Sequence, residues 1–338
     1  MRRRSQICGI LTILTSCTVC HPTLIAQEGF WRLQAGNQFN VEITTNRTTK
    51  LAINNGPVTT NSVQEVVELQ YVVNRVRPTG LEFEVRVTDV NRDQKSASDV
   101  ADNTVSPQTR NLRGFRAYIL VSPEGVVTSL DRRVDTLRQM AGPEPLGIKL
   151  LTDACSDNVM KTWFGSPFWM VTDNVQPDTE WQRIDELSLG PMGNLRTIAT
   201  CAIDNSGKKK TDDGPLDVTI SGTGRHIPNI SGDENSKNLL KFENVKLSMN
   251  SFSGYGKMVV PATNATDKED DDASLRPWFE SVSFQYEIEG QVDVVSSANK
   301  RSLSFSQTRK QVCRLLPGYQ VGRPRRIPIE SFDLPAPR

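Results

Sequence analysis

Strict alternation of apolar and polar side chains over long stretches most constrains how this chain can fold. Apolar residues occupy every second position at 67–73, 81–87 and 284–288, and charged or amide side chains fill most positions between them. A period of two is the pattern of a strand with one buried and one solvated face. Short turns such as Pro78-Thr79-Gly80 join successive stretches, which favours antiparallel pairing. The alternation predicts a mainly β (α+β) fold with long antiparallel strands in one or two curved sheets.

A helical insert is predicted in the middle of the chain. Leu130, Val134 and Leu137 recur at helical spacing, and Ser129 is suited to cap this first helix. A second helix is expected from Ser156 to Phe164. Two interpretations of the insert are open: both helices pack on one face of the sheet, or they form a lid over a ligand cavity.

The N-terminus has the composition of an export signal. A run of three arginines (2–4) precedes a mostly apolar stretch at 7–19 that is too short to span a bilayer. Two processing sites are open: ordinary cleavage after Ala26, or lipidation of Cys17 within a Leu-Thr-Ser-Cys lipobox. Either route predicts an exported protein in the periplasm or cell envelope of a bacterium. It would be soluble, or tethered to the membrane only through the lipid anchor.

These patterns divide the chain into five segments. The divisions follow the leader, the turn and cap residues around the insert, and a proline- and arginine-rich composition near the C-terminus. The segments are a leader at 1–26 (or 1–16 with the lipoprotein signal), a first β-rich half at 27–128, a helical insert and linker at 129–177, a second β-rich half at 178–316 and an extended tail at 317–338.

Composition argues against several kinds of chemistry. The leader carries three arginines and no acidic residue, so its removal lowers the formal charge from +1 to −2. A nearly neutral body gives no electrostatic argument for nucleic-acid binding. His226 is the one histidine after the leader, which excludes a histidine-rich zinc site and predicts an ordinary surface or loop residue. We expect no cofactor, no metal site and no catalytic residue.

Acidic residues and cysteines leave narrower alternatives. The acidic run at 267–272 lacks the glycine and spacing of a calcium loop and is expected to be solvated. Carboxylate pairs for hydrolysis form in space, so the sequence leaves them open. Cys155, Cys201 and Cys313 remain after the leader, an odd number that permits one disulfide. Three unpaired thiols are the expectation, with Cys201–Cys313 as the candidate bridge.

Four aromatic residues of the insert are the candidate ligand contacts. Trp163, Phe164, Phe168 and Trp169 lie at the end of the second predicted helix and just beyond it. The plainer interpretation is that they join the helix to the sheet as core residues. Under a curved, half-barrel sheet the same side chains would line an apolar pocket for a hydrophobic small molecule.

Short motifs open and close the two halves. They are Leu33-x-x-Gly36-x-x-Phe39, Ser122-Pro123-x-Gly125-Val126-Val127, Glu180-Trp181 and Pro191-x-Gly193. In these motifs the chain resembles a family of exported bacterial proteins known as a domain of unknown function, over most of residues 31–315. It has Thr179-Glu180 where that family's pattern has Gly-Asp. The resemblance implies export and a β-rich body, and it supplies no activity.

The sequence therefore predicts an exported, non-catalytic cell-envelope protein with a binding or structural role and an unknown envelope partner. A periplasmic carrier of a hydrophobic ligand and a hydrolase with acidic catalytic residues are the alternatives. A large apolar cavity would favour the carrier, and a cleft with two carboxylates of shifted pKa would favour the hydrolase. A filled core with neither feature would favour the structural role.

Overall fold

The computed structural model of the chain describes residues 33–96, 112–141, 155–171, 180–189, 192–204, 215–228, 241–259, 279–296 and 299–317. The strands are β1 (Gln38–Ile53), β2 (Val58–Arg77), β3 (Gly80–Ser96), β4 (Arg116–Val121), β5 (Val127–Asp131), β6 (Glu180–Ser188), β7 (Asn194–Ile203), β8 (Leu216–Ile227), β9 (Lys241–Met258), β10 (Phe279–Ser296) and β11 (Asn299–Leu315). The helices are α1 (Arg133–Ala141), α2 (Asp157–Gly165) and a 3-10 helix (Ser166–Met170).

All eleven strands form one antiparallel sheet, in the order β5-β4-β3-β2-β1-β11-β10-β9-β8-β7-β6. The first half runs outward from β1 to one edge, and the second half starts at the other edge and returns to β11. The halves meet where β1 pairs with β11, with Ile43 opposite Cys313. The predicted mainly β architecture with a helical insert is confirmed, and the two halves share a single sheet.

The insert joins the two edges of this sheet and shows that the sheet is strongly curved. Helix α2 contacts both β5 and β6, which lie at opposite ends of the strand order. The 3-10 helix that follows α2 packs on β10 and β11 near the centre. One insert can touch both edges and the centre only if the sheet curls around it. The insert therefore lies on the concave face.

The β4–β5 turn explains how tightly the edges approach each other. Gly125 donates its N–H to the Ser122 carbonyl oxygen at 2.8 Å and has a positive φ of 75°, a conformation that glycine adopts readily in turns. A Cβ atom at Gly125 would lie 2.6 Å from the Arg183 side chain and 2.7 Å from the Phe168 carbonyl oxygen. Only glycine leaves room for β6 and the 3-10 helix to close on this turn.

The first helix of the insert begins later than its sequence predicts. Ser129 and Leu130 belong to β5, where Leu130 pairs with Ile119, so Ser129 does not cap a helix. Helix α1 starts at Arg133, and Leu137 is its fully buried residue, whereas Val134 is exposed. Pairing with β4 took the first turn of the apparent helical pattern into the sheet, which is a tertiary effect that spacing alone does not register.

The second helix agrees with its predicted range. Helix α2 spans Asp157–Gly165 with Ser156 at the N-cap position, although the Ser156 hydroxyl makes no capping hydrogen bond. Neither α-helix in the described ranges has the length and apolar character needed to cross a membrane. The predictions for the leader, the acidic run at 267–272 and the tail from residue 318 onward lie outside the described residues.

Candidate functional site

The four aromatic residues predicted as ligand contacts lie in a packed layer between the insert and the sheet. Trp163, Phe164, Phe168 and Trp169 are all buried. The Phe168 ring meets the Tyr71 ring edge to face at 5.9 Å and the Phe83 ring at 5.3 Å between centroids. These contacts join the 3-10 helix to β2 and β3 on the first half of the sheet.

The same layer continues across the second half. The Trp169 ring stacks on Phe284 at 5.0 Å and on Phe252 at 6.0 Å between centroids. The Tyr71 hydroxyl donates a hydrogen bond to the Phe164 carbonyl oxygen at 3.0 Å. Aromatic contacts of this kind are typical of a filled core. Ligand contact by the four predicted residues stays a prediction, because their rings pack on protein.

A cleft of about 280 Å3 lies where the two edges of the sheet approach each other. The β4–β5 turn supplies Val126, helix α2 supplies Lys161 and Thr162, and β6 supplies Asp185 and Glu186. The Thr162 hydroxyl donates to the Asn158 carbonyl oxygen at 2.8 Å and lies 3.4 Å from the Glu186 carbonyl oxygen, which places the helix against the β6 edge. The lining combines both charge signs with exposed apolar side chains, so this cleft is not the large apolar cavity of a carrier.

Arg183 is the buried residue that holds this seam together. Its Nη1 donates to the Glu124 carbonyl oxygen of the β4–β5 turn. Its Nη2 donates to the carbonyl oxygens of Phe168 and Val171, the latter at 2.9 Å, and its Nε donates to Trp169 at 3.3 Å. One guanidinium therefore joins β6, the turn and the 3-10 helix. Nothing in the sequence around Arg183 distinguishes it from a solvent-facing arginine of a strand.

Asp185 is the titratable group of the cleft with a shifted pKa. Burial raises the pKa of the Asp185 carboxyl, and the Glu186 amide, Arg183 and Arg309 act in the opposite direction. The Glu186 N–H donates to Asp185 Oδ1 at 2.8 Å. The influence of Arg309 places Asp185 near the interior of the curved sheet as well as in the cleft.

The raised pKa of Asp185 predicts a specific pH dependence of stability. Because the folded protein holds this proton more tightly than the unfolded chain, the wild type loses stability as the pH rises through the folded-state pKa. Asp185→Asn cannot ionise, so its melting temperature relative to wild type should be higher at neutral pH than in mild acid. Thermal unfolding of both proteins across this range measures the difference. A constant difference at every pH would contradict the raised pKa.

A row of polar side chains borders the insert on the concave face. The Gln311 amide donates to the Ser166 hydroxyl at 2.6 Å, which anchors β11 to the 3-10 helix. Arg309 Nη2 donates to Gln311 Oε1 at 3.0 Å, and Arg309 Nη1 donates to the Tyr286 hydroxyl at 3.3 Å. Beyond this row β1 continues to Ile53 and β11 begins at Asn299. The row therefore divides the concave face into two parts. The insert packs on one part, and the other part lies beyond the polar row.

All three cysteines of the described ranges are buried and unpaired. Cys201 lies on β7 and Cys313 on β11, and three strands separate them in the sheet. The candidate Cys201–Cys313 bridge is therefore wrong, because a disulfide needs Cα atoms within about 7 Å. Burial raises the pKa of the Cys155 and Cys201 thiols to about 12 and also raises that of Cys313.

These thiols should be inert in the folded protein. Thiolate is the reactive form, and a pKa near 12 leaves about 1000-fold less thiolate at mildly alkaline pH than an ordinary cysteine has. Protein that starts at Gln27 should therefore incorporate no alkylating reagent while folded and three equivalents in denaturant. The count in denaturant is the control. A thiol that reacts at the rate of free cysteine in the folded protein would contradict this placement.

His226 lies at the end of β8 and not in a loop. Its Nε2 is 2.7 Å from the Met192 carbonyl oxygen, and the ring is half-buried. This contact joins β8 to the hairpin between β6 and β7. No group of three or more histidine, cysteine or acidic side chains within the described ranges is arranged to hold a metal ion.

Comparisons with known proteins assign this chain to no family. No protein-family model matches the sequence, and no curated protein matches it at a significant level. A structure of lipovitellin, described for its lipid-protein interactions, is similar over 86% of this chain with 10% identity and a TM-score of 0.46. This chain spans about a quarter (26%) of that lipovitellin chain.

A second structure, of OccK11 (OpdR) from Pseudomonas aeruginosa, shares 9% identity over 84% of this chain and 98% of its own. Its TM-score is 0.17. At these values neither similarity carries an argument about function, and the resemblance to an exported family stays a prediction from the motifs.

Proposed function

We propose that this chain is an exported, non-catalytic binding protein that carries an apolar ligand on the part of its concave face beyond the polar row. The observation that carries the proposal is the position of exposed apolar side chains there. Leu51 is 37% exposed and Ile53 is 48% exposed. Alternation along β1 places both on the same face as buried Ile43, which is the face that the insert covers farther along the strand.

Neighbouring strands add apolar side chains beside Leu51 and Ile53, of which Phe305 and Val292 are already buried. Leu51 pairs with Phe305 and Ile53 with Leu303 on β11, and Leu303 pairs in turn with Val292 on β10. Cross-strand partners present their side chains on the same face of a sheet. A strip of apolar side chains therefore crosses three central strands at the end of the sheet away from the aromatic layer.

The aromatic layer makes the part of the concave face beyond the polar row a better ligand site than the part beneath the insert. The rings of Phe168 and Trp169 occupy the concave space on their side of the polar row. A ligand of ordinary size would have to displace them, which would sacrifice core packing. Beyond the polar row, a ligand would instead cover apolar surface that is already exposed at Leu51 and Ile53. Burial of such surface contributes about 25 cal/mol per Å2.

A neutral fluorescent apolar probe, N-phenyl-1-naphthylamine, tests the proposal. Wild-type protein should increase its fluorescence, and Leu51→Gln should weaken binding about tenfold, because an amide in an apolar contact loses its hydrogen bonds to water. Ile198→Gln is the matched control, since Ile198 is 44% exposed on the opposite face of β7. Absence of binding by wild type, or equal weakening by both substitutions, would overturn the proposed function.

A hydrolase with acidic catalytic residues is the second candidate, because Asp185 with its raised pKa lies beside Glu186 in the cleft. Successive residues of a strand point to opposite faces, so these two carboxyls do not face each other across a substrate. A panel of chromogenic esters and glycosides tests the alternative. We expect no turnover above the buffer rate. Turnover that Asp185→Asn abolishes would establish the hydrolase in place of the carrier.

A further inference from the structure

Two arginines face each other on the concave side at the polar row. Arg47 on β1 is the direct cross-strand partner of Arg309 on β11. Like charges in directly opposed positions destabilise a sheet. Burial lowers the pKa of the Arg47 guanidinium, and Arg309 and Arg92 lower it further. Such an arrangement lowers the stability of the fold unless an anion compensates the two positive charges.

The carboxylates near this pair do not saturate it. Glu65 raises the pKa of Arg47, and Asp185 interacts with Arg309. No described side chain accepts a hydrogen bond from the Arg47 guanidinium. Arg309 Nε is buried and has no hydrogen-bond partner within the described ranges. The Arg47 guanidinium therefore lacks a described acceptor, and Arg309 lies beside it with a buried, unpaired Nε.

Described side chains hold Arg309 in position, whereas none of them accepts a hydrogen bond from Arg47. The Tyr286 hydroxyl and the Gln311 amide oxygen fix the two terminal nitrogens of Arg309, and Gln311 is itself fixed by Ser166 of the insert. Tyr286 is also the cross-strand partner of Arg309 on β10. A preorganised guanidinium beside an unoccupied one suits an anion with two or more oxygens, because guanidinium groups bind carboxylate and phosphate through paired hydrogen bonds.

We propose that Arg47 and Arg309 bind the anionic head of an amphiphile with a single acyl chain, such as a fatty acid, whose chain lies on the apolar strip. This inference rests on the proposed function and specifies its ligand. Leu51 is four residues from Arg47 along β1, about 13 Å at 3.3 Å per residue. Ile53 extends the strip by two further residues. An acyl chain attached to a head at the arginines spans this length.

The charge distribution favours an amphiphile over a free anion or an uncharged lipid. The positive pair lies at the polar row, at one end of the apolar strip. Leu51 and Ile53 lie farther along β1, beyond the polar row. A free anion would use the arginines and leave the apolar residues exposed to water. An uncharged lipid would cover the apolar residues and leave the two guanidinium groups with only Glu65 and Asp185 as nearby opposite charges. An anionic amphiphile satisfies both.

A pair of fluorescent probes of equal chain length tests this inference. 11-(Dansylamino)undecanoic acid carries a carboxylate head, and its methyl ester does not. Wild-type protein should bind the acid about tenfold more tightly than the ester at neutral pH, which corresponds to one charge-assisted interaction. Arg47→Met should remove this preference and keep the affinity for the ester. Arg225→Met, on the exposed side of β8, should keep the preference and is the matched control.

The outcomes separate the inference from the proposed function. Binding of neither probe by wild type would overturn the proposed function and this inference with it. Equal binding of acid and ester, or a preference that survives Arg47→Met, would overturn the inference and leave an apolar carrier. Complete displacement of the acid by millimolar inorganic phosphate would show a simple anion site and would also overturn it. The melting temperature of Arg47→Met should equal or exceed that of wild type, because the substitution relieves a like-charge pair.

Discussion

Arg183→Met should lower the free energy of unfolding by about 3–5 kcal/mol, a substantial fraction of the reserve of an ordinary domain. Arg183 is 7% exposed, and its guanidinium donates to the carbonyl oxygens of Glu124, Phe168, Trp169 and Val171. Methionine has similar length and no donor. The substitution would remove the described partner of the Glu124 and Val171 carbonyl oxygens, and each unsatisfied buried group costs about 1–3 kcal/mol. The carbonyl oxygens of Phe168 and Trp169 would keep the Val171 N–H and the Trp181 indole N–H as donors.

Urea unfolding followed by circular dichroism measures this loss. Arg225→Met is the control, since the Arg225 side chain is exposed on β8, and such a surface substitution should change stability by no more than about 0.5 kcal/mol. Equal stability of the two variants would show that Arg183 does not join the edges of the sheet. The curved arrangement of the sheet would then need another explanation.

Phe168→Ala should also destabilise the protein, by about 3–5 kcal/mol. The Phe168 ring of the 3-10 helix is fully buried and packs against both the Tyr71 and the Phe83 rings. Truncation removes the apolar contacts of the ring and leaves a cavity that rigid neighbouring rings cannot close. The loss would be small if the insert were a mobile lid, because a lid residue contributes little to the folded sheet.

Tyr255→Ala is the matched control for Phe168→Ala. Tyr255 is an aromatic residue on β9 with 58% of its surface exposed. Its truncation should alter the urea midpoint only slightly. A Phe168→Ala midpoint equal to that of Tyr255→Ala would contradict the filled aromatic layer and restore the lid interpretation of the insert.

Alternation allowed the sheet to be predicted because it is a local property. From Leu81 to Val87, the polarity of each residue indicates which face of the sheet it occupies, and the apolar residues are buried. Local spacing gave a wrong prediction at Ser129 and Leu130, where an apparent helical spacing overlapped the end of a strand. Pairing of Leu130 with Ile119 decided the conformation, and a pairing partner is not visible in local spacing.

The candidate site was harder to predict because its members are distant in the sequence. Arg183 reaches a carbonyl oxygen 59 residues away. Arg47 and Arg309 become neighbours only because the first and last strands of the sheet pair. The one available indication was a charged residue at a position that alternation assigns to the buried face, as Arg47 and Arg309 both are. The aromatic residues attracted attention by composition, and they are used in packing.

Native mass spectrometry of the protein purified from a bacterium that exports it tests most directly whether the concave face carries an amphiphile. We expect a species of the processed chain with one bound molecule, which organic extraction identifies as an anion with an acyl chain. Leu51→Gln and Arg47→Met should each reduce the bound fraction, and Ile198→Gln should not. The mass of the bare chain alone, from protein that also fails to take up the dansylated fatty acid, would contradict the carrier function.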